Sequence, residues 1–264
     1  MSEEQLTYGS DSSEIPSLHD GEEVPFDPLF DAAQAIICCA VYRYIEPEAF
    51  ESIVIAMSKF GRERLRFMAQ EKTCVWDSRN HLARRFLETD ADYMIFIDAD
   101  HLIPCGSASY FNNRGRVNYP ERLAGMNFFD RILSHPPSMG IVGASYFDRQ
   151  IGKQIQCSRG CGSQAEHGFN DRFRQGEFTG VGEVLWTATG GMRIHRSVFE
   201  AIIKNKAQFP EIQPIKEGGR WGFFTPNRVG LGEDVAFCYR ARKSGIKIWQ
   251  DYDLRMLHKS HHWN

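Results

Sequence analysis

The sequence predicts an α/β fold, with a largely parallel, Rossmann-like sheet flanked by helices. Three observations predict it. Short apolar runs of strand length recur, AIICCAVY at 35–42 and YMIFI at 93–97, as strands buried on both faces require. Amphipathic stretches separate them, so the order from residue 35 is strand, helix, strand, helix, strand. With 264 residues, 42% of them hydrophobic and 25% charged, the chain can bury a sizeable core in one large domain without disulfide staples.

Residues 1–34 are acidic, rich in Ser, Pro and Asp, and weakly patterned. They predict a flexible arm able to dock in part through Phe26, Leu29 and Phe30, leaving a single domain over 35–264. After the first strand, Glu46-Pro47 opens a helix to 59, with Pro47 in the first turn where its missing N–H is harmless. Phe50, Ile53, Val54 and Met57 form the apolar stripe of that helix. Residues 65–70 predict a second strand. Asp77 is placed to cap a helix running to 89, with Leu82, Ala83, Phe86 and Leu87 inward. The third strand is 93–97, the stretch 101–137 reads as helical, and 139–145 as a further strand. Residues 146–180 are polar, Gly- and Arg-rich and without periodicity, and so long a stretch without elements of its own is expected only where it serves function. Strands at 184–189 and 192–195 surround a Gly-Gly bend and supply a smaller antiparallel element. Helices follow at 197–206 and at 233–244, the second ended by Gly245. Strands at 246–249 and 254–258 close the domain. There is no internal repeat.

Composition removes several classes of function. Lys plus Arg is 31 against 34 Asp plus Glu, a net charge of -3, which excludes a strongly basic nucleic-acid coat. No window holds the run of about 18 apolar residues a membrane span needs. The opening MSEEQLTYGSDSSEIPS has acids and no apolar core, so it is not a signal peptide. Seven cysteines is an odd number for a disulfide scaffold. Cys38, Cys39, Cys74 and Cys238 read as buried thiols, which fits a reducing, cytoplasmic setting. Cys157 and Cys161 flank SRG without a partner pair at zinc-like spacing. No GxxxxGK followed by Ser or Thr occurs, so a P-loop is excluded.

The most informative segment is YMIFIDAD at 93–100. An apolar strand runs out at Asp98, and one residue separates it from Asp100. Two carboxylates so close repel unless a cation lies between them. Mg²⁺ or Mn²⁺ bridging phosphates is the usual reason for such a pair in an intracellular protein.

Asp98-Ala99-Asp100 at a strand end resembles the Asp-x-Asp motif of the GT-A class of nucleotide-sugar glycosyltransferases, family-2-like and of bacterial or viral type, and the likeness extends over most of 35–258. It implies a GT-A fold and Mn²⁺ or Mg²⁺ as cofactor. Asp100 would ligate the metal on the donor diphosphate, with Asp98 near the ribose, sugar and metal. The first strand ending near Tyr42 matches the family's nucleotide-binding start. The run DSRNHLARRFLETDADY (77–93) looks like the helix that precedes the motif, which would put Arg79 near the nucleotide or diphosphate. In TGGMRIHRSVFEAI (189–202), Gly190 and Gly191 would let the backbone approach the donor sugar. GLGEDVAFCYRARKSGIKIW (230–249) carries Glu233-Asp234 in a helix's first turn, where the dipole favours acids. The resemblance makes Asp234 the general base that takes the acceptor hydroxyl's proton, with Glu233 binding a hydroxyl, or the two roles exchanged. Arg240 and Arg242, later in that helix, would support the phosphates or be solvated. His258, after the second Asp-x-Asp at 251–253, stands where family members place a late metal-binding His, and His101 is a rival ligand. Carboxylate with imidazole suits Mn²⁺. His261 and His262 are less well placed.

The implied reaction is metal-dependent, inverting transfer of a sugar, from a UDP-sugar by the family's habit, to an acceptor hydroxyl. A sugar nucleotidyltransferase is the first rival, but AVYRYIEPEAF after the first strand lacks a Gly-rich basic phosphate loop. A non-catalytic sugar-nucleotide-binding protein would not need two acidic pairs. The acceptor is read from 146–180, where Arg149, Lys153, Arg159, Arg172 and Arg174 interleave with Phe147, Phe169, Phe173 and Phe178. That pattern could stack bases and meet phosphates or equally line a glycan groove, and the resemblance leaves open a glycan, a lipid-linked sugar, a protein or hydroxymethylated bases in DNA as the acceptor.

Overall fold

The first strand, β1 (Ala35–Val41), has no polar side chain and is buried along its whole length. Such a strand must be covered on both faces and paired on both edges. It pairs in parallel with β2 (Leu65–Glu71) and with β3 (Tyr93–Ile97). The computed structural model describes residues 34–61, 64–71, 74–103, 127–146, 154–155, 157–158, 173–174, 179–212, 221–226 and 232–258. Further along the chain come β4 (His101–Leu102), β5 (Ile141–Tyr146), the short pieces β6 (Gln154–Ile155), β7 (Cys157–Ser158) and β8 (Phe173–Arg174), then β9 (Val181–Val184), β10 (Trp186–Thr187), β11 (Gly191–His195) and β12 (Ile248–His258). The main sheet has eight strands in the order β2-β1-β3-β11-β5-β12-β4, with β9 paired to β12. β11 is antiparallel to both β3 and β5, and β12 is parallel to β5. The architecture is therefore mixed α/β with a mostly parallel, Rossmann-like centre, as expected.

Helices α1 (Pro47–Phe60) and α2 (Val75–Leu87) make the crossovers between the first three strands. The α1 stripe is rotated from the expected one. Ala49, Ser52, Ile53 and Ala56 are buried, while Phe50 and Val54 are exposed. Small side chains let the helix approach the sheet closely, and Ser52 satisfies its hydroxyl on the Ala49 carbonyl. α2 also begins earlier than expected. The N–H groups of Asp77 and Ser78 donate to the Cys74 carbonyl, so Cys74 is the cap and Asp77 lies inside the first turn. Cys74 is accordingly exposed, unlike Cys38, Cys39 and Cys238. Within 101–137 the described part holds β4 and a helix, α3 (Phe128–Ser134), capped by the Asn127 side chain. The remaining helices are α4 (Arg196–Lys204) and α5 (Glu233–Lys243), which pack on each other. Gly245, at φ +84°, turns the chain out of α5.

The two closing strands expected at 246–249 and 254–258 are one strand with a bulge. β12 pairs Asp251 with Ala144 and then Arg255 with Ser145, so Tyr252 to Leu254 are looped out. The Asp251 carboxylate, fully buried, holds that bulge. It accepts from the N–H groups of Asp253 and Leu254, from Arg131 and from His135. Burial pushes its pKa up, but the bonds from His135 and Arg131 hold it below the ordinary value. The N-terminal arm, Cys161, the side chains of Cys157 and of the 147–178 basic and aromatic residues, His261 and His262 lie outside the described residues.

Candidate active site

One edge of the sheet gathers the residues of interest. β1, β3, β5 and β12 all run out there, and β4 and β11 begin there. In sheets of this kind ligands sit beyond the carboxyl ends of the parallel strands.

Arg79, in the second turn of α2, is the centre of the arrangement. Its side chain is 4% exposed, which excludes a solvated surface role. Nη1 donates to Glu233 Oε1 at 2.6 Å, and Nη2 donates to Asp98 Oδ1 at 3.0 Å. One planar guanidinium thus ties the end of β3 to the start of α5, a geometry that lysine's single ammonium cannot supply. Burial works against the charge, but Asp98, Glu233 and Asp234 raise the Arg79 pKa above its ordinary value.

The same contacts distinguish the two acids of α5. Glu233 is held by Arg79. Among the described residues, Asp234 accepts a single hydrogen bond, 2.7 Å from the Val235 N–H. Burial, and next the Glu233 charge, push the Asp234 carboxyl up to about 6. A carboxylate with a pKa near the working pH is suited to accept a proton.

Asp98 and Asp100 share a turn closed by a bond from the His101 N–H to the Asp98 carbonyl, 3.1 Å. The Glu46 N–H donates to Ala99 at 2.8 Å and fastens the β1–α1 loop to that turn. Tyr42, in this loop, is 65% exposed, with the Arg43 guanidinium 5.4 Å from its ring centre. His101 Nδ1 donates to Asp100 Oδ1 at 3.1 Å. Burial drives the His101 pKa down to about 4, so the ring is neutral near pH 7. His258 lies directly opposite His101 in the β12–β4 ladder, so its backbone is beside the acidic turn.

Gly190 and Gly191 lie across the ladder from that turn, with Gly191 opposite Ile97. A Cβ on Gly190 would come within 2.8 Å of His101 Nε2 and 3.1 Å of Tyr146, and one on Gly191 would overlap Met256 Sδ. Close approach here is to protein side chains. Arg240 is neither a phosphate ligand nor solvated: it is fully buried and donates to the carbonyls of Phe223 and Thr225. Asn80 holds the same loop, accepting from the Phe224 N–H and donating to Thr225 Oγ1. Sequence reasoning passed over Tyr146 and Asn80. Their signals were slight: Tyr146 ends a buried strand at this edge, and Asn80 follows Arg79.

Among the described residues, no three His, Cys, Asp or Glu side chains stand together so as to hold a metal ion. The carboxylates of Asp98 and Asp100 share one turn, Asp98 bonded to Arg79 and Asp100 to His101, and the side chain of His258 lies outside the described residues. No helix among the described residues is long and apolar enough to cross a membrane.

No family model matches the chain, and no curated protein matches its sequence. Solved structures do. A197 from STIV aligns at 14% identity with a TM-score of 0.49, covering 86% of this chain and 85% of that one. A glycosyltransferase involved in the glycosylation of the major capsid of PBCV-1 aligns at 11% identity and TM-score 0.33, covering 67% and 68%. The inositol-1-phosphate CTP transferase from T. maritima aligns at 11% identity and TM-score 0.43, covering 87% and 90%. At these scores the likenesses assign no chemistry to this chain.

Proposed function

We propose that the chain is a metal-dependent glycosyltransferase of the GT-A kind, transferring a sugar from a nucleotide sugar, with UDP-sugars the first donors to test, to an acceptor hydroxyl with inversion. The observation that carries this reading is the Arg79 bridge. It joins the Asp98-Ala99-Asp100 turn to Glu233 and leaves the adjacent Asp234 with its pKa raised to about 6.

In this reading Asp234 accepts the proton of the acceptor hydroxyl as that oxygen attacks the anomeric carbon. Glu233, fixed by Arg79, orients a hydroxyl beside it. Asp100 and His258, with Asp98 adjacent, would hold the cation, whose contribution when bound is to neutralise the charge on the departing diphosphate. Tyr42, exposed on a loop fastened to the acidic turn, offers a face for the nucleoside. Gly190 and Gly191 support the site from behind by letting His101, Tyr146 and Met256 pack closely.

Incubation with UDP-sugars and Mn²⁺ tests the reading through slow release of UDP. The wild-type chain should release UDP only with the metal present. Asp234→Asn should keep donor binding and lose transfer by about 10²-fold or more. Near-normal turnover in that variant contradicts the assignment of the base.

A further inference from the structure

We infer that His101 is a positioning residue that sets the orientation of the Asp100 carboxylate and does not itself bind the cation. This rests on the cation reading above and goes one shell beyond it. Four contacts carry it. His101 Nδ1 donates to Asp100 Oδ1 at 3.1 Å. The imidazole is 1% exposed and packs edge-on against the Tyr146 ring, centroids 4.4 Å apart at 82°. Its other side lies against Gly190, where an added Cβ would come within 2.8 Å of Nε2 and 2.9 Å of Cε1. Its backbone closes the acidic turn on the Asp98 carbonyl and pairs in register with His258.

Both ring nitrogens therefore face protein, one toward a carboxylate and the other toward Gly190. A ring clamped in this way has one orientation, and its N–H fixes Asp100 Oδ1. The carboxylate's other oxygen is then aimed by the same bond. Metal-binding carboxylates are commonly held by such a partner, and losing the partner typically costs about 10–100-fold in metal affinity. A directly ligating His101 would need to leave the Tyr146–Gly190 clamp.

The test measures Mn²⁺ binding to the full chain by the loss of the free-ion EPR signal. His101→Phe keeps the ring and its packing but removes the N–H. His101→Asn places an amide N–H near the position of Nδ1. Mn²⁺ affinity should fall about 10–100-fold in His101→Phe and return toward the wild-type value in His101→Asn. Gly190→Ala, whose added methyl group pushes on the ring, should weaken Mn²⁺ as well and gives an answer if His101→Phe does not fold. Wild-type affinity in His101→Phe overturns the inference, as does equal loss in Phe and Asn variants of equal melting temperature. A wild-type chain that binds no Mn²⁺ overturns the metal reading itself, a separate failure.

Discussion

At the scale of single residues, the chemistry turns on which carboxylate is ionised and when. Asp234 has its pKa raised to about 6 by burial and by Glu233, with Arg79 pulling it down. The rate with saturating donor should therefore rise with pH and level off above an inflection near 6, because the base works only when deprotonated. Glu233→Gln removes the neighbouring charge that raises the Asp234 pKa, so the inflection should move to lower pH. An inflection that stays in place contradicts the coupling. Stability runs the other way. A carboxyl whose pKa is raised on folding favours the folded state below its ordinary value of 3.8, and that contribution is lost as pH rises through about 6. Asp234→Asn, whose amide oxygen can still accept from the Val235 N–H, should raise the melting temperature at pH 7.5 and change it little at pH 4. A lower melting temperature at pH 7.5 would count against the burial of a charge at this position.

At the scale of elements, strands and helices were readable wherever one face had to meet the sheet. β1 and β3 are wholly apolar because both faces are covered, and that pattern locates them within a residue or two. The face of α1 was misread because the helix packs through Ala49, Ser52 and Ala56, and small residues carry little hydrophobic signal. β12 was divided in two because Asp251, Tyr252 and Asp253 look like a turn. Only the folded chain brings Arg131 and His135 onto Asp251 from a helix more than a hundred positions away. The carboxylates at Asp98 and Asp100 were legible from spacing, whereas the clamp of Tyr146 and Gly190 on His101 depends on strand order, which spacing does not carry. The bulge yields its own prediction. Asp251→Ala removes the acceptor shared by Arg131, His135 and two backbone N–H groups, and should cost about 3–5 kcal/mol in urea unfolding. In the wild type, the part of this contribution that depends on the carboxylate charge is present above pH 3.8 and lost as pH falls through the depressed native value. A cost below about 1 kcal/mol would show that the bulge holds without it.

At the scale of the whole molecule, strand direction is what makes a site. Because β1, β3, β5 and β12 end at one edge, residues as distant in sequence as Tyr42, Asp98, Tyr146 and His258 are brought to the same side of the sheet. The N-terminus of α5 is joined to that edge by Arg79. Acidic side chains from two elements then crowd around one guanidinium, and a bound divalent ion would offset the excess negative charge. The most direct measurement is calorimetric titration of UDP into the full chain, with Mn²⁺ and again with excess chelator, for wild type and Asp100→Ala. A cation bridging Asp100 and the diphosphate predicts binding that weakens at least about tenfold on chelation in the wild type, and binding that is weak under both conditions in Asp100→Ala. Equal UDP affinity with the metal removed, or full affinity in Asp100→Ala, would contradict it.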